Sequence, residues 1–185
     1  MKEPDPPPPG AEPRGPNIEP GAGRCALPML DLADYIRAHG IVAEIIAPGV
    51  EMPTVDAAAA ALNVPPERIF KSILFQAGDG RCAMAIACGK GRVDTSKLET
   101  LTGLSRLRLA NPEVALAITG YPTGGTPPVG HRGRFPVVVD TRVAAQPWGW
   151  AGGGRKELMV RIAPADIVRL TGARVADLIA EVVAG

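Results

Sequence analysis

Two apolar runs, IFKSILFQA (69–77) and RCAMAIAC (81–88), meet across Gly78-Asp79-Gly80. A short Gly-Asp-Gly link between strand-like segments is a hairpin signature, so whatever sheet this chain builds must contain an antiparallel pair. The remaining segments sort around that pair. Leu30, Ala33, Ile36 and Arg37 follow a helical period that stops at Gly40. IVAEIIA (41–47) reads as a strand ended by Pro48-Gly49, and Thr54 as the N-cap of a helix in VDAAAAALNV, closed by Pro65-Pro66. TSKLETLTG (95–103) and a segment starting near Pro112 read as helices. FPVVVD (135–140) and ELMVRIA (157–163) read as strands, followed by a helix from Pro164 or Asp166 to about Leu170. In the final stretch, TGARVADLIAEVV, a helix would place Val175, Leu178, Ile179 and Val182 on one face. Strands alternating irregularly with short helices predict an α+β fold with a mixed sheet, not a doubly wound parallel one.

Composition narrows the function classes. Aromatic residues are 4% of the 185, so the core is built from Ala, Val, Ile and Leu. A formal net charge of +1 gives no bulk attraction to nucleic acid or membrane. No apolar run approaches the ~20 residues a membrane helix requires, so no membrane partner is expected. The three cysteines, Cys25, Cys82 and Cys88, form no CxxC pair, and their odd number argues against a disulfide framework and for a reducing cytoplasm. With two scattered histidines, no metal site is expected. None of the three serines lies in a GxSxG context, so a nucleophile elbow is absent. Residues 1–28 hold nine of the twenty prolines and almost no apolar pattern. They read as a disordered tail ahead of one domain at 29–185, or as sequence upstream of a true start at Met29.

Four local features carry possible chemistry. Gly78 to Ala83 spells GxGxxA, but a strand follows where a dinucleotide site needs a helix, so the match is accidental. Lys71, one of only five lysines, sits in a strand with apolar residues on both faces. It is either an edge-strand gatekeeper or a partly buried ammonium able to clamp phosphate or donate a proton. The segment TGYPTGGTPPVG (119–130) is glycine or proline at seven of its twelve positions and can be neither helix nor strand. Glycine lets a ligand approach main-chain N–H donors and proline stiffens the loop around them; a plain connector is the alternative. A second glycine run, Gly152-Gly153-Gly154, follows Trp148 and Trp150. From Thr119 to Arg161 six basic residues face two acidic ones, which suits either a solvated surface or a phosphate-backbone site. The two tryptophans suit half-buried packing better than base stacking.

FKSILF, TGYPTGGTPPVG, FPVVVD and AGGGRKELMVRI, in that order, resemble the YbaK/prolyl-tRNA synthetase-associated domain family over about Leu30 to Val183. The likeness is greatest to free-standing ProX-type members, which carry a similar GG-x-PPVGH stretch, here Gly124 to His131. The resemblance implies a curved, mixed, partly closed β-sheet surrounded by helices. It implies trans-editing: hydrolysis of the ester that joins a wrong small amino acid to the 3′-terminal adenosine of tRNA. The family lysine falls on Lys71, with Ser72 where threonine is frequent, and the family GxxxP loop falls on Gly124 through Pro128. Thr54, Asp140, Gly152 and Gly153 match recurrent family positions. Pro127 stands where serine is common in the cysteine-specific branch, so cysteine specificity is not implied.

An aminoacyl ester is already activated, and a neighbouring ribose hydroxyl can assist, so the protein need supply only positioning and oxyanion stabilisation. Catalysis is accordingly expected at Lys71, Gly124 and Gly125, with the loop N–H groups on the carbonyl oxygen and Lys71 on the terminal phosphate or ribose. Substrate binding is expected at Thr54, Ser72, Thr126, Pro128, His131, Asp140, Gly152 and Gly153, without a cofactor. The partners implied are the 3′ acceptor end of aminoacyl-tRNA and, as a further candidate, an aminoacyl-tRNA synthetase. Two other classes fit the same residues less well: a non-catalytic tRNA- or synthetase-binding module, and a hydrolase of another small acyl ester.

Overall fold

The computed structural model describes residues 29–50, 52 and 54–181. The expectation of disorder for 1–28, and the place given to Val182, fall outside those residues.

The hairpin forms as its sequence requires. Strand β2 (Phe70–Gln76) pairs antiparallel with β3 (Cys82–Cys88), setting Lys71 opposite Ala87 and Phe75 opposite Ala83. Around it lies a five-stranded sheet. Beyond β2 comes β4 (Arg108–Leu109); beyond β3 come β5 (Val137–Asp140) and β8 (Arg174–Ala176), in the order β4-β2-β3-β5-β8. Its β3-β5-β8 side is parallel and its β4-β2-β3 side antiparallel, so the sheet is mixed. A second, antiparallel sheet orders β1 (Glu44–Ile46), β7 (Met159–Ile162) and β6 (Gly149–Gly152) as β1-β7-β6. The architecture is therefore the expected mixed α+β, but with two sheets rather than one and with neither closed. Between the two, an isolated parallel bridge joins Ile69 to Trp150.

Period-two alternation places the core. Met84, Ile86, Val137 and Val139 pack on one face with Val160 and Ile162 of the smaller sheet. Ala83, Ala85 and Val138 point the other way, onto Leu98, Leu104 and Leu178. Since β3 is buried along its whole length, its side chains on the second face must be alanines to let these helices and loops approach.

The helices begin where their caps stand. Asp31 caps α1 (Leu32–Ala38), Thr54 caps α2 (Val55–Ala61), Asp94 caps α3 (Thr95–Thr102) and Asn111 caps α4 (Pro112–Thr119), each side chain accepting from a first-turn N–H. Asp140 does the same for the short α5 (Thr141–Ala144), and α6 (Pro164–Thr171) opens on Pro164. The expectation of a terminal helix is corrected. Val175 lies in strand β8, and Leu178 and Ile179 follow it in extended chain, because β5 offers a parallel edge and Asp140 a hydrogen bond to the Leu178 N–H. The glycine-rich GWAG is strand β6, and its glycines are needed: a Cβ on Gly149 would run into the Phe70 ring.

Candidate active site

The start of β2, the cap of α2, the glycine loop and the end of β6 enclose a cavity of about 220 Å³. Lys71, Ser72, Thr54, Gly124, Thr126 and Gly152 line it together with Met52, Val55, Ala58, Ile69, Phe70 and Met159. Six of the eleven sequence-derived site residues thus share one small space, although they are spread over nearly a hundred positions of the chain.

On the strand wall, Lys71 is partly buried and its Nζ donates to the Gly91 carbonyl at 2.8 Å. Burial holds its pKa below the usual lysine value, opposed by the nearby Cys88. Next to it, the Ser72 hydroxyl is buried and has no hydrogen-bond partner among the described residues. An orphaned hydroxyl in a cavity wall is a group still to be satisfied, by water or by a ligand. Thr54 Oγ1 accepts from the Ala57 N–H at 3.1 Å, so the residue that caps α2 is also part of the cavity wall.

The loop wall is built from backbone. Gly124 has φ +88°, a left-handed conformation that favours glycine, and a Cβ there would meet nothing nearer than Lys156 Cγ at 3.7 Å. Behind it, Gly125 and Gly152 pack backbone to backbone. A Cβ on Gly125 would fall 2.5 Å from the Arg155 carbonyl carbon, and one on Gly152 2.6 Å from the Thr126 oxygen. Gly154 N–H donates to Gly125 O at 2.8 Å, locking the two glycine runs together. The Gly125 N–H donates to Pro122 O at 3.0 Å, so it is already engaged, in contrast to the donor role expected for it. Gly124 N–H has no such partner among the described residues. Thr126 Oγ1 donates back to Pro122 O at 3.1 Å, closing the turn.

The other predicted residues stand outside the cavity walls. His131 Nε2 bonds Pro127 O at 2.8 Å while its ring packs against Tyr121 and Phe135, bracing the loop from behind. That burial pushes the imidazole pKa down to about 4, the hydrogen bond to Pro127 opposing it. Asp140 is fully buried; one oxygen accepts from the Arg142 N–H and pairs with Arg142 Nε, the other accepts from the Leu178 N–H. Gly153 N–H closes the β6–β7 turn on Leu158 O at 2.8 Å, and Pro128 is buried behind the loop. Both tryptophans pack: Trp150 is buried, and the guanidinium groups of Arg68 and Arg161 lie over the Trp148 ring at 4.5 and 4.2 Å.

Sequence reasoning missed the apolar wall. Val55 and Ala58 were within its reach, since both follow the Thr54 cap at i+1 and i+4 on one helical face. Met52, Ile69 and Met159 left no local signal; they converge only because the Ile69–Trp150 bridge brings the two sheets together. Among the described residues no three His, Cys, Asp or Glu side chains come together as a metal site would need, and no helix is long and apolar enough to cross a membrane.

Known proteins place this geometry. The chain is 36% identical over 119 residues, 64% of its length, to a proline–tRNA ligase of Nitratidesulfovibrio vulgaris, of which it spans about a fifth (20%). It is 24% identical over 123 residues to an Enterococcus faecalis protein bearing the provisional name Cys-tRNA(Pro)/Cys-tRNA(Cys) deacylase EbsC, covering 66% of this chain and 75% of that one. A crystal structure provisionally described as a trans-editing enzyme for prolyl-tRNA synthetase superposes with a TM-score of 0.71 at 33% identity, covering 81% of this chain and 95% of the other. Residues 50–170 match the aminoacyl-tRNA editing domain, a span that contains every residue of the cavity; the chain belongs to that family.

Proposed function

We propose that this domain hydrolyses the ester bond of a mischarged aminoacyl-tRNA, acting in trans on the 3′ acceptor end. The observation that carries the reading is the cavity itself, which Lys71, the unsatisfied Ser72 hydroxyl and Gly124 of the glycine loop line together beside an apolar wall. In the reaction, water adds to the ester carbonyl carbon and the bond to the ribose oxygen breaks. The ribose oxygen takes up a proton, leaving free amino acid and uncharged tRNA. The Gly124 N–H is the donor suited to the developing oxyanion, where one preorganised donor is worth on the order of 10²–10³ in rate. Lys71, anchored on Gly91 O, is suited to the ribose or the terminal phosphate. The Ser72 hydroxyl is suited to the substrate's amino group or the free ribose hydroxyl.

Val55, Ala58 and Met159 leave room for a small side chain only, consistent with a volume of about 220 Å³. Outside the mouth, Arg155 and Lys156 are exposed next to the loop, a position suited to the phosphates leading to the terminal adenosine. Such a substrate puts the activity in the cytoplasm, and the likeness to part of a proline–tRNA ligase makes a synthetase a reasonable second partner.

A deacylation panel with Ala-, Ser-, Thr- and Cys-tRNA, run beside a small acyl ester, tests the reading. Turnover of one charged tRNA well above the small ester is expected. Binding of tRNA without turnover would instead indicate a recognition module, and equal turnover of the small ester a general esterase.

A further inference from the structure

The acceptor that holds Lys71 belongs to a turn with little structure of its own. After β3 the chain passes through Gly89 (φ +63°) to Gly91, whose carbonyl receives Lys71 Nζ, before α3 begins. Its first half is tied by the Gly89 N–H on Ile69 O at 3.1 Å and by the Lys90–Asp56 ion pair, and its second half is held by a segment from the other end of the domain. Val93 and Ile179 form an antiparallel bridge, Ala180 N–H donates to Arg92 O at 2.9 Å, and Asp94 N–H donates to Leu178 O at 2.7 Å. Gly91 lies so close to this segment that a Cβ would sit 2.8 Å from Ile179 Cγ2. The segment is itself fixed by the buried carboxylate of Asp140 on the Leu178 N–H, by Lys97 on Asp177 and the Ile179 carbonyl, and by Arg142 on Asp177.

We propose that Ile179 and Asp140 are positioning residues for Lys71: through the 177–180 segment they set the Gly91 carbonyl, and the carbonyl sets the ammonium at the cavity. Neither side chain lines the cavity. A lysine stem has several rotatable bonds, so its ammonium occupies one place only while an acceptor keeps it there. A shift of about 1 Å in a positioned group can lower a rate by about 10²-fold. Asp140, buried and away from the cavity, thereby acquires a role at the site. The proposal rests on the reading of Lys71 given above.

Reciprocal packing provides the test. Gly91→Ala places a methyl against Ile179 and displaces the Gly91 carbonyl; kcat for deacylation is expected to fall about 10- to 100-fold with KM nearly unchanged. Adding Ile179→Ala opens the space for that methyl, and kcat is expected to return to within a few-fold of the parent. In parallel, the side-chain ammonium resonance of Lys71, followed by NMR in lysine-labelled protein, is expected to move in Gly91→Ala and to return in the double variant. A Lys71 resonance that stays put, or a kcat that the second substitution does not restore, overturns the proposal. A resonance that moves and returns while kcat never changes supports the positioning contact and overturns instead the role of Lys71 in the reaction. If Gly91→Ala does not fold, Ile179→Ala alone loosens the turn and is expected to lower kcat several-fold; an unchanged kcat and resonance there overturn the proposal equally.

Discussion

The two walls of the cavity are held in different ways. On the strand wall, Lys71 and Ser72 ride on the start of β2, paired with β3 and beyond the reach of β4, and what fixes the functional atom is a side-chain hydrogen bond to a distant turn. On the loop wall, no side chain is needed to make the shape: Gly125, Gly152 and Gly154 interlock through their backbones, and Gly124 is left with a left-handed φ and open space before it. The first wall depends on a charged group and on the backbone carbonyl that holds it. The second has no room for a side chain at Gly125 or Gly152. A sheet supplies rigidity that a side chain can exploit, whereas a loop must obtain rigidity from packing and so gives up its side chains.

The largest effect that would separate the walls is on the strand side. Lys71→Ala is expected to abolish deacylation while leaving melting nearly unchanged, because removing a partly desolvated ammonium relieves a cost as well as losing one hydrogen bond. Turnover and thermal melting measured on the same preparation check it; near-parental turnover, or an unfolded variant, would remove Lys71 from the site.

Next comes Gly124→Val on the loop side. It is expected to lower kcat by on the order of 10²–10³, with some loss of stability because φ is positive there. If melting falls and turnover per folded molecule is preserved, Gly124 is a turning residue and the contrast between the walls collapses.

A smaller effect concerns what braces the loop. The His131 imidazole is kept neutral by burial, with a pKa of about 4 against 6.5 in the unfolded chain. The stability this confers is complete above about pH 6.5 and is lost as the pH falls toward about 4, since the unfolded chain takes up the proton first. The loss amounts to about 3 kcal/mol. His131→Gln is expected to be less stable at pH 7 and to show a flatter stability profile between these limits. Denaturant melts across that range decide it, and parallel profiles for the two proteins would mean that His131 does not titrate with folding.

The smallest expected effect is none. Deleting residues 1–28 removes a segment without apolar pattern, and both deacylation and melting are expected to stay within error. A sharp drop in tRNA affinity would make that segment a third element of the site.

Much of this contrast was legible in the sequence. The Gly-Asp-Gly hairpin, the Thr54 cap and the Gly/Pro loop each declare themselves locally, through turn chemistry, capping and backbone freedom, and each stands where expected. What stayed hidden depends on tertiary partners. ARVADLI carries a helical period, yet a free parallel edge on β5 and the Asp140 carboxylate draw it into extended chain. GWAG has poor strand propensity and becomes β6 because only glycine fits beside Phe70. His131 and Asp140 were recognisable as special, but no spacing rule says whether a special residue touches the substrate or holds the residue that does.

The tie between Lys71 and the 177–180 segment also bears on when the protein becomes active during its own synthesis. A ribosome releases Lys71 and the hairpin that carries it long before Ile179 emerges from the exit tunnel. Until then the Gly89–Arg92 turn is tied by the Gly89 N–H on Ile69 O and by the Lys90–Asp56 ion pair, but the Gly91 carbonyl lacks the segment that packs against it. On the proposed function, nascent chains halted before residue 174 would carry the lysine, the glycine loop and the cavity walls, yet are expected to deacylate poorly. On that reading, competence comes with β8 and the segment that follows it.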